Sequence, residues 1–247
     1  MKVIVTGATG NLGRFIVQHC LDHADITSVV ILTRRAVAGH VESHPKVQVV
    51  MHHDFGRYPD ALLQSLHGAE ACLWAIGHVH QADHDKETLR HITIGLSITA
   101  AQNLSHSLAD KTPNGAKFRF VFCSTRHASS SRMTLLLVNS LRRFAAEAER
   151  GLCQVADMSH GRFEAYMLRP LSLESGQHAS SPLPSASAPT RRPAEVLSPL
   201  FAGMSRLCKR AMDPSRVAKA MVVVACSGWK HRFINNEALL DEPMFAP

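Results

Sequence analysis

The chain contains two tyrosines, Tyr58 and Tyr166, and no lysine between Lys117 and Lys209. Leu62 and Pro170 stand four residues after the tyrosines, so neither tyrosine has a lysine one helical turn on. The six cysteines (Cys20, Cys72, Cys123, Cys153, Cys208, Cys226) form no C-x-x-C. That spacing argues against a dithiol redox motif and reads as reduced core thiols in a cytosolic chain. No apolar run approaches the ~20 residues that span a bilayer. The chain opens on a strand-like run with no room for a leader, so a cytoplasmic protein with no membrane partner is expected. Acidic residues are outnumbered, 20 to 27, giving a net charge of +7. The basic residues are scattered, not massed in a stripe, which argues against nucleic acid as a partner and for attraction of an anionic cofactor and a small-molecule substrate. There is no internal repeat. Oligomeric state has no sequence signature here.

What is present is a hydrophobic chain, 45% apolar over 247 residues, enough for one domain spanning 1–247. Strand-like runs at Val3 to Thr6, Val29 to Thr33, Val47 to His52, Ala71 to Ile76, Phe118 to Ser124 and Glu164 to Arg169 alternate with helical stretches. This pattern predicts a doubly wound α/β parallel sheet with ligands at the carboxyl ends of its strands. Arg232 to Asn236 predicts a last short strand, and Asp213-Pro214 the start of a late helix with proline in its first turn. Before both, residues 171–200 turn to Ser, Pro and Ala, a composition that buries little and predicts a flexible flap or insertion within the domain.

The densest signal lies at the start. Lys2 to Thr6 is a β-branched run, Gly7-x-x-Gly10-x-x-Gly13 follows, and Phe15, Ile16, Val17 and Cys20 resume at helical spacing. Glycines at a strand-to-helix turn allow the sharp turn, the approach of a pyrophosphate to the backbone and close packing of helix on sheet. The helix N-terminus then faces the phosphates. Gly7, Thr9, Gly10, Asn11, Leu12 and Gly13 are the candidate cradle. About twenty residues on, where an acidic residue would meet an adenosine ribose 2′-hydroxyl, stand Arg34 and Arg35. Two guanidinium forks suit a 2′-phosphate, so NADP(H) is the expected cofactor.

Residues 6 to 13, Thr-Gly-Ala-Thr-Gly-Asn-Leu-Gly, resemble the Thr-Gly-x-x-Gly-x-x-Gly fingerprint of extended and atypical short-chain dehydrogenase/reductases, especially the NmrA-like and Tat-interacting-protein-like group. The resemblance implies a Rossmann-type sheet with a small C-terminal substrate-side appendage. It further implies Asp54 beside the adenine, Ala75, Ile76 and Gly77 behind the adenosine ribose and diphosphate, and Pro170 beside the nicotinamide. Ser124 and Thr125 match the family position that binds the substrate oxygen.

The family's Tyr-x-x-x-Lys is absent. Aligning Glu147 with a glutamate that often follows that motif puts Asn139 at the tyrosine and Arg143 at the lysine position. Arg143 suits a ribose hydroxyl or phosphate but is a poor proton donor. Histidine is the other candidate donor, His127 after the fifth strand and His78 and His80 after the fourth. His78-x-His80-x-x-x-His84 lacks a convincing carboxylate or cysteine partner, and no metal site is expected. The resulting expectation is an NADP(H)-dependent oxidoreductase acting on a small carbonyl or enone in specialised metabolism. The alternatives are a non-redox isomerase or cyclase on the same scaffold, or an NADP(H)-sensing regulatory protein.

Overall fold

A computed structural model of the chain describes residues 1–77, 85–124, 135–171, 173 and 212–246. Seven strands form one sheet: β1 (Lys2–Thr6), β2 (Ser28–Thr33), β3 (Val47–Met51), β4 (Ala69–Trp74), β5 (Phe118–Cys123), β6 (Phe163–Arg169) and β7 (Phe233–Asn235). Their order is β3-β2-β1-β4-β5-β6-β7, and every pairing is parallel. The helices in chain order are α1 (Asn11–Asp22), α2 (Gly39–Glu42), α3 (Asp60–Ser65), α4 (Lys86–Arg90), α5 (Leu96–Leu108), α6 (Leu135–Met158), α7 (Pro214–Ser227) and α8 (Asn236–Asp241). A π turn at His91–Gly95 joins α4 to α5.

A parallel sheet buried on both faces requires apolar residues at consecutive strand positions, and β1 and β2 supply them. On one face Val3, Val5, Val29, Ile31, Val121 and Leu168 pack under α1 and α7. On the other, Ile4, Val30, Cys72, Trp74, Phe118, Phe120, Phe122 and Met167 pack under α5 and α6. The aromatic rings carry much of this second layer: Phe118 stacks on Phe163 with centroids 5.7 Å apart, and Trp74 lies 5.7 Å from Phe120. Helix α7 begins as its sequence predicts. Asp213 caps it by accepting the Ser215 N–H at 2.8 Å, and Pro214 takes the first turn, where its missing N–H costs nothing.

Strand positions match the sequence pattern to within two residues. The largest difference is β4, which runs from Ala69 to Trp74 in place of Ala71 to Ile76. It starts earlier because Ala69 pairs with Lys2 across a bulge. It stops earlier because the Ala75 N–H turns to the Thr6 hydroxyl at 3.3 Å. Five described cysteines are free, and burial pushes the thiols of Cys20, Cys72 and Cys123 up from their ordinary pKa; Cys208 lies outside the described residues. Among the described residues no helix is long and apolar enough to cross a membrane.

Candidate functional site

Strand order reverses at β1, whose neighbours β2 and β4 lead to opposite edges of the sheet. In such sheets the crevice beyond the carboxyl ends at the reversal is where ligands bind. Here that crevice is floored by the glycine turn. Gly7 has φ +68°, and a Cβ on it would sit 2.6 Å from the Ala75 carbonyl oxygen. A Cβ on Gly13 would lie 1.9 Å from the Gly7 oxygen, so the first turn of α1 can lie against β1 only if residue 13 is glycine. The Gly10 N–H closes the turn on the Gly7 carbonyl at 2.9 Å. Among the described residues no side chain caps α1, and no acidic residue stands in its first turn. The positive end of its dipole at this turn favours an anion. Leu12 is buried in the core while Thr9 and Gly10 are exposed, so the turn is anchored below and open above.

The Thr6 hydroxyl reaches the Leu73 carbonyl at 3.4 Å and receives the Ala75 N–H, tying the end of β1 to the end of β4. This brings the Ala75 carbonyl against Gly7, with Ile76 and Gly77, the last with φ +132°, following it in the chain. On the other flank, Thr33 at the end of β2 bonds the backbone of Arg35 in both directions, at 2.9 and 3.2 Å. The Arg35 guanidinium folds back to donate to the Thr9 hydroxyl at 3.0 Å. Arg34 is exposed beside it. Neither arginine is paired with a carboxylate among the described residues. Arg35, distant in sequence from the glycines, is thereby brought to their turn.

Asp54 follows β3 in an exposed loop, where it accepts the Gly56 N–H at 2.9 Å and lies 3.8 Å from Arg57. Beneath it the His52 ring packs on Phe55 and Tyr58, centroids 5.1 and 5.5 Å away, and Phe55 meets Trp74 edge-on. His52 Nε2, the Tyr58 hydroxyl and Trp74 Nε1 are buried without a hydrogen-bond partner among the described residues. Burial lowers the His52 pKa despite hydrogen bonds to the backbone of Arg57 and Asp54, so the ring is neutral near pH 7.

Ser124 stands one residue beyond β5. Its N–H continues the ladder onto the Leu168 carbonyl at 2.8 Å, and its hydroxyl is buried with no partner among the described residues. The register that pairs Cys123 with Leu168 sets Ser124 next to Arg169. Arg169 lies on the α6 side of the sheet, where Glu149 accepts from its Nε at 2.9 Å and its Nη2 at 2.6 Å. Glu149 is 4% exposed, and the guanidinium carbon lies 4.0 Å from the centre of the Phe233 ring. Pro170 follows directly, and the next residue, Leu171, donates its N–H to Asn236 Oδ1 at 3.0 Å.

Sequence reasoning missed the Glu149–Arg169 pair. A signal for it existed: Phe163, Ala165, Met167 and Arg169 continue one buried alternation, and Glu149 interrupts the apolar stripe of Ala145, Ala148 and Leu152 on α6. Arg143 is exposed on α6, and Glu147 pairs with Arg90 at 2.6 Å. Thr125, His127, His78, His80, His84 and nearly all of the 171–200 flap lie outside the described residues, as does the side chain of Asn139.

No protein-family model matches the sequence, and no curated protein is detectably similar to it. Solved structures are similar in fold. The KRED1-Pglu enzyme superposes with a TM-score of 0.65 at 15% identity, over 95% of this chain and all of its own. A short-chain dehydrogenase/reductase from Saccharomyces cerevisiae gives 0.64 at 16% identity, over 100% of this chain and 98% of its own. The dTDP-glucose 4,6-dehydratase from Streptomyces venezuelae, solved with NAD and TYD bound, gives 0.63 at 17% identity, over 95% of this chain and 75% of its own. At such identities the likeness is one of fold: a seven-stranded, Rossmann-like parallel sheet flanked by helices.

Proposed function

We propose that the carboxyl edge of this sheet binds NADP(H) and that the protein is an oxidoreductase of the atypical short-chain dehydrogenase/reductase kind, reducing a small carbonyl or enone in specialised metabolism. The observation that carries the reading is the joint between the glycine turn and Arg35. Gly7 and Gly13, where any Cβ would strike the Ala75 or the Gly7 carbonyl, let the turn and the start of α1 lie tight against the ends of β1 and β4, α1 begins with no side-chain cap among the described residues, and Arg35 is held at Thr9. Arg34 beside it is a second cation for a 2′-phosphate, a group that NAD(H) lacks. The similarity of fold to enzymes described as dehydrogenases and reductases supports the same choice.

In this reading Gly7, Thr9, Gly10, Asn11, Leu12 and Gly13 cradle the diphosphate. Ala75, Ile76 and Gly77 pass behind it, Asp54 lies toward the adenine, and Pro170 lies toward the nicotinamide. Bound there, the coenzyme supplies a hydride. The Ser124 hydroxyl, buried without a partner, is the donor placed to meet a substrate oxygen, with Thr125 next to it in sequence. No tyrosine–lysine pair exists to hand over the proton, so it comes from water or from a histidine such as His127, while Arg143 is a further candidate for contact with coenzyme or substrate.

That missing pair favours a second reading, in which the same pocket orients a substrate for isomerisation or cyclisation with no net redox change. Incubating the protein with NADPH and a panel of ketones and enones, while following nicotinamide absorbance and product mass, tests both. Cofactor consumption with a product two mass units heavier supports the reductase. Product of unchanged mass without consumption supports the isomerase, and coenzyme binding with no product leaves a regulatory NADP(H) sensor.

A further inference from the structure

The Glu149–Arg169 pair has no part in holding the coenzyme in this reading, yet it lies beside the one buried hydroxyl assigned to the substrate. Ser124 and Arg169 are lateral neighbours on adjacent strands, whose backbones run about 4.8 Å apart. Glu149 occupies Nε and one Nη2 hydrogen of Arg169, and the Phe233 ring fixes the guanidinium plane. A guanidinium carries five N–H donors. The other three have no hydrogen-bond partner among the described residues, and neither has the Ser124 hydroxyl. The Ser124 hydroxyl is the fully buried member, and leaving it unmet is unfavourable; the Arg169 side chain is 20% exposed, so its remaining donors are open to a ligand.

We propose that Arg169 and Ser124 together form the acceptor-binding floor of the substrate pocket, with Glu149 as the positioning residue that holds Arg169 in place. The inference rests on the reading of this edge as a reductase-like site and narrows its substrate class. The pair is neutral as a unit, and Glu149 disfavours a second carboxylate nearby, so the ligand is neutral. Donors arriving from neighbouring strands are matched by two acceptor oxygens on carbons one atom apart, as in a neutral 1,3-dicarbonyl, better than by a single ketone oxygen.

Saturation-transfer NMR on the full chain, with ethyl acetoacetate, acetoacetate and 2-hexanone as probes, tests this directly. The ester is expected to bind about tenfold more tightly than either the charged acid or the simple ketone, the worth of one well-placed hydrogen bond. Ser124→Ala reduces ester affinity about fivefold. The double variant Glu149→Leu/Arg169→Met removes both buried charges together, which such sites tolerate, and abolishes the preference. Glu149→Gln, keeping one acceptor for Arg169, retains part of it. Equal affinities for the three probes, or a preference that survives the double variant, overturn the proposal. Titrating the same unmodified protein with NADPH separates the two readings. NADPH binding without probe discrimination removes this inference alone, and discrimination without NADPH binding removes the coenzyme assignment and leaves the donor pair.

Discussion

At the amino end of the sheet, polar side chains find partners within the protein; at the carboxyl end, several do not. Arg119 donates to the carbonyls of Ala225 and Cys226 at 3.1 and 2.9 Å, closing the last turn of α7. Glu164 accepts from Lys117 at 2.7 Å and from the Tyr166 hydroxyl at 2.9 Å. Lys117, Arg119, Glu164 and Tyr166, with Trp229, line a cavity of about 650 Å³, and the one buried side-chain polar atom among them without a hydrogen bond, Arg119 Nε, lies 3.7 Å from Glu164. At the carboxyl end, His52, Tyr58, Trp74 and Ser124 each bury a polar atom with no partner among the described residues, and α1 begins with no side-chain cap among them. Buried polar groups are normally satisfied. The difference teaches that a cavity with charges around it can be architecture, while unmet donors beside an open helix end point to something that binds.

The strongest way to break this contrast is Gly13→Val. Its side chain would collide with the Gly7 carbonyl, and calorimetry should show NADPH affinity down by more than about 100-fold. Overpacking there costs about 3 kcal/mol, or roughly 6–12 °C in Tm for a chain of this size. Unchanged binding would mean that the turn does not meet a coenzyme. Arg35→Ala comes next. Losing a charge-assisted hydrogen bond, about 1.5–3 kcal/mol, weakens NADPH binding by roughly 10–100-fold and leaves NADH nearly untouched, with Tm unchanged.

The amino end should respond in stability alone. Burial acts to raise the Glu164 pKa, but the hydrogen bonds from Lys117 and Tyr166 outweigh it and hold the carboxyl below its ordinary value. A depressed carboxyl contributes stability above its unfolded pKa and loses it as pH falls through the folded one. Glu164→Gln should therefore cost about 1 kcal/mol at pH 7, allowing for its partial exposure. The gap to the unmodified protein should close below about pH 4, while NADPH affinity stays constant. The smallest change is expected in the stability of Ser124→Ala. With no hydrogen bond to lose, its Tm holds or rises, by at most about 1 kcal/mol of added stability; a clear fall in thermal unfolding would reveal a structural partner and remove Ser124 from the site.

The first half of the site was legible because its geometry is local. Gly7 and Gly13 are forced by contacts within one strand–turn–helix unit, and the apolar runs flanking them name the elements. The end of β4 was misplaced by two residues because a side chain, Thr6, takes the N–H that would have continued the ladder. Arg35 was identified by its distance from the glycines, but its reach back to Thr9 depends on the chain bending at Thr33. The Glu149–Arg169 pair was not found because its members come from a helix and a strand that meet only when α6 packs on the sheet. A motif built on spacing along the chain, such as Tyr-x-x-x-Lys, registers as missing; a pair assembled across elements leaves only a polar residue in an apolar stripe.

Titration calorimetry of the unmodified protein with NADPH and with NADH, side by side, is the most direct test of the assignment at the carboxyl edge. A single site for NADPH, with NADH at least about tenfold weaker, is the predicted result. No heat from either nucleotide on folded protein, or equal affinity for both, would contradict it.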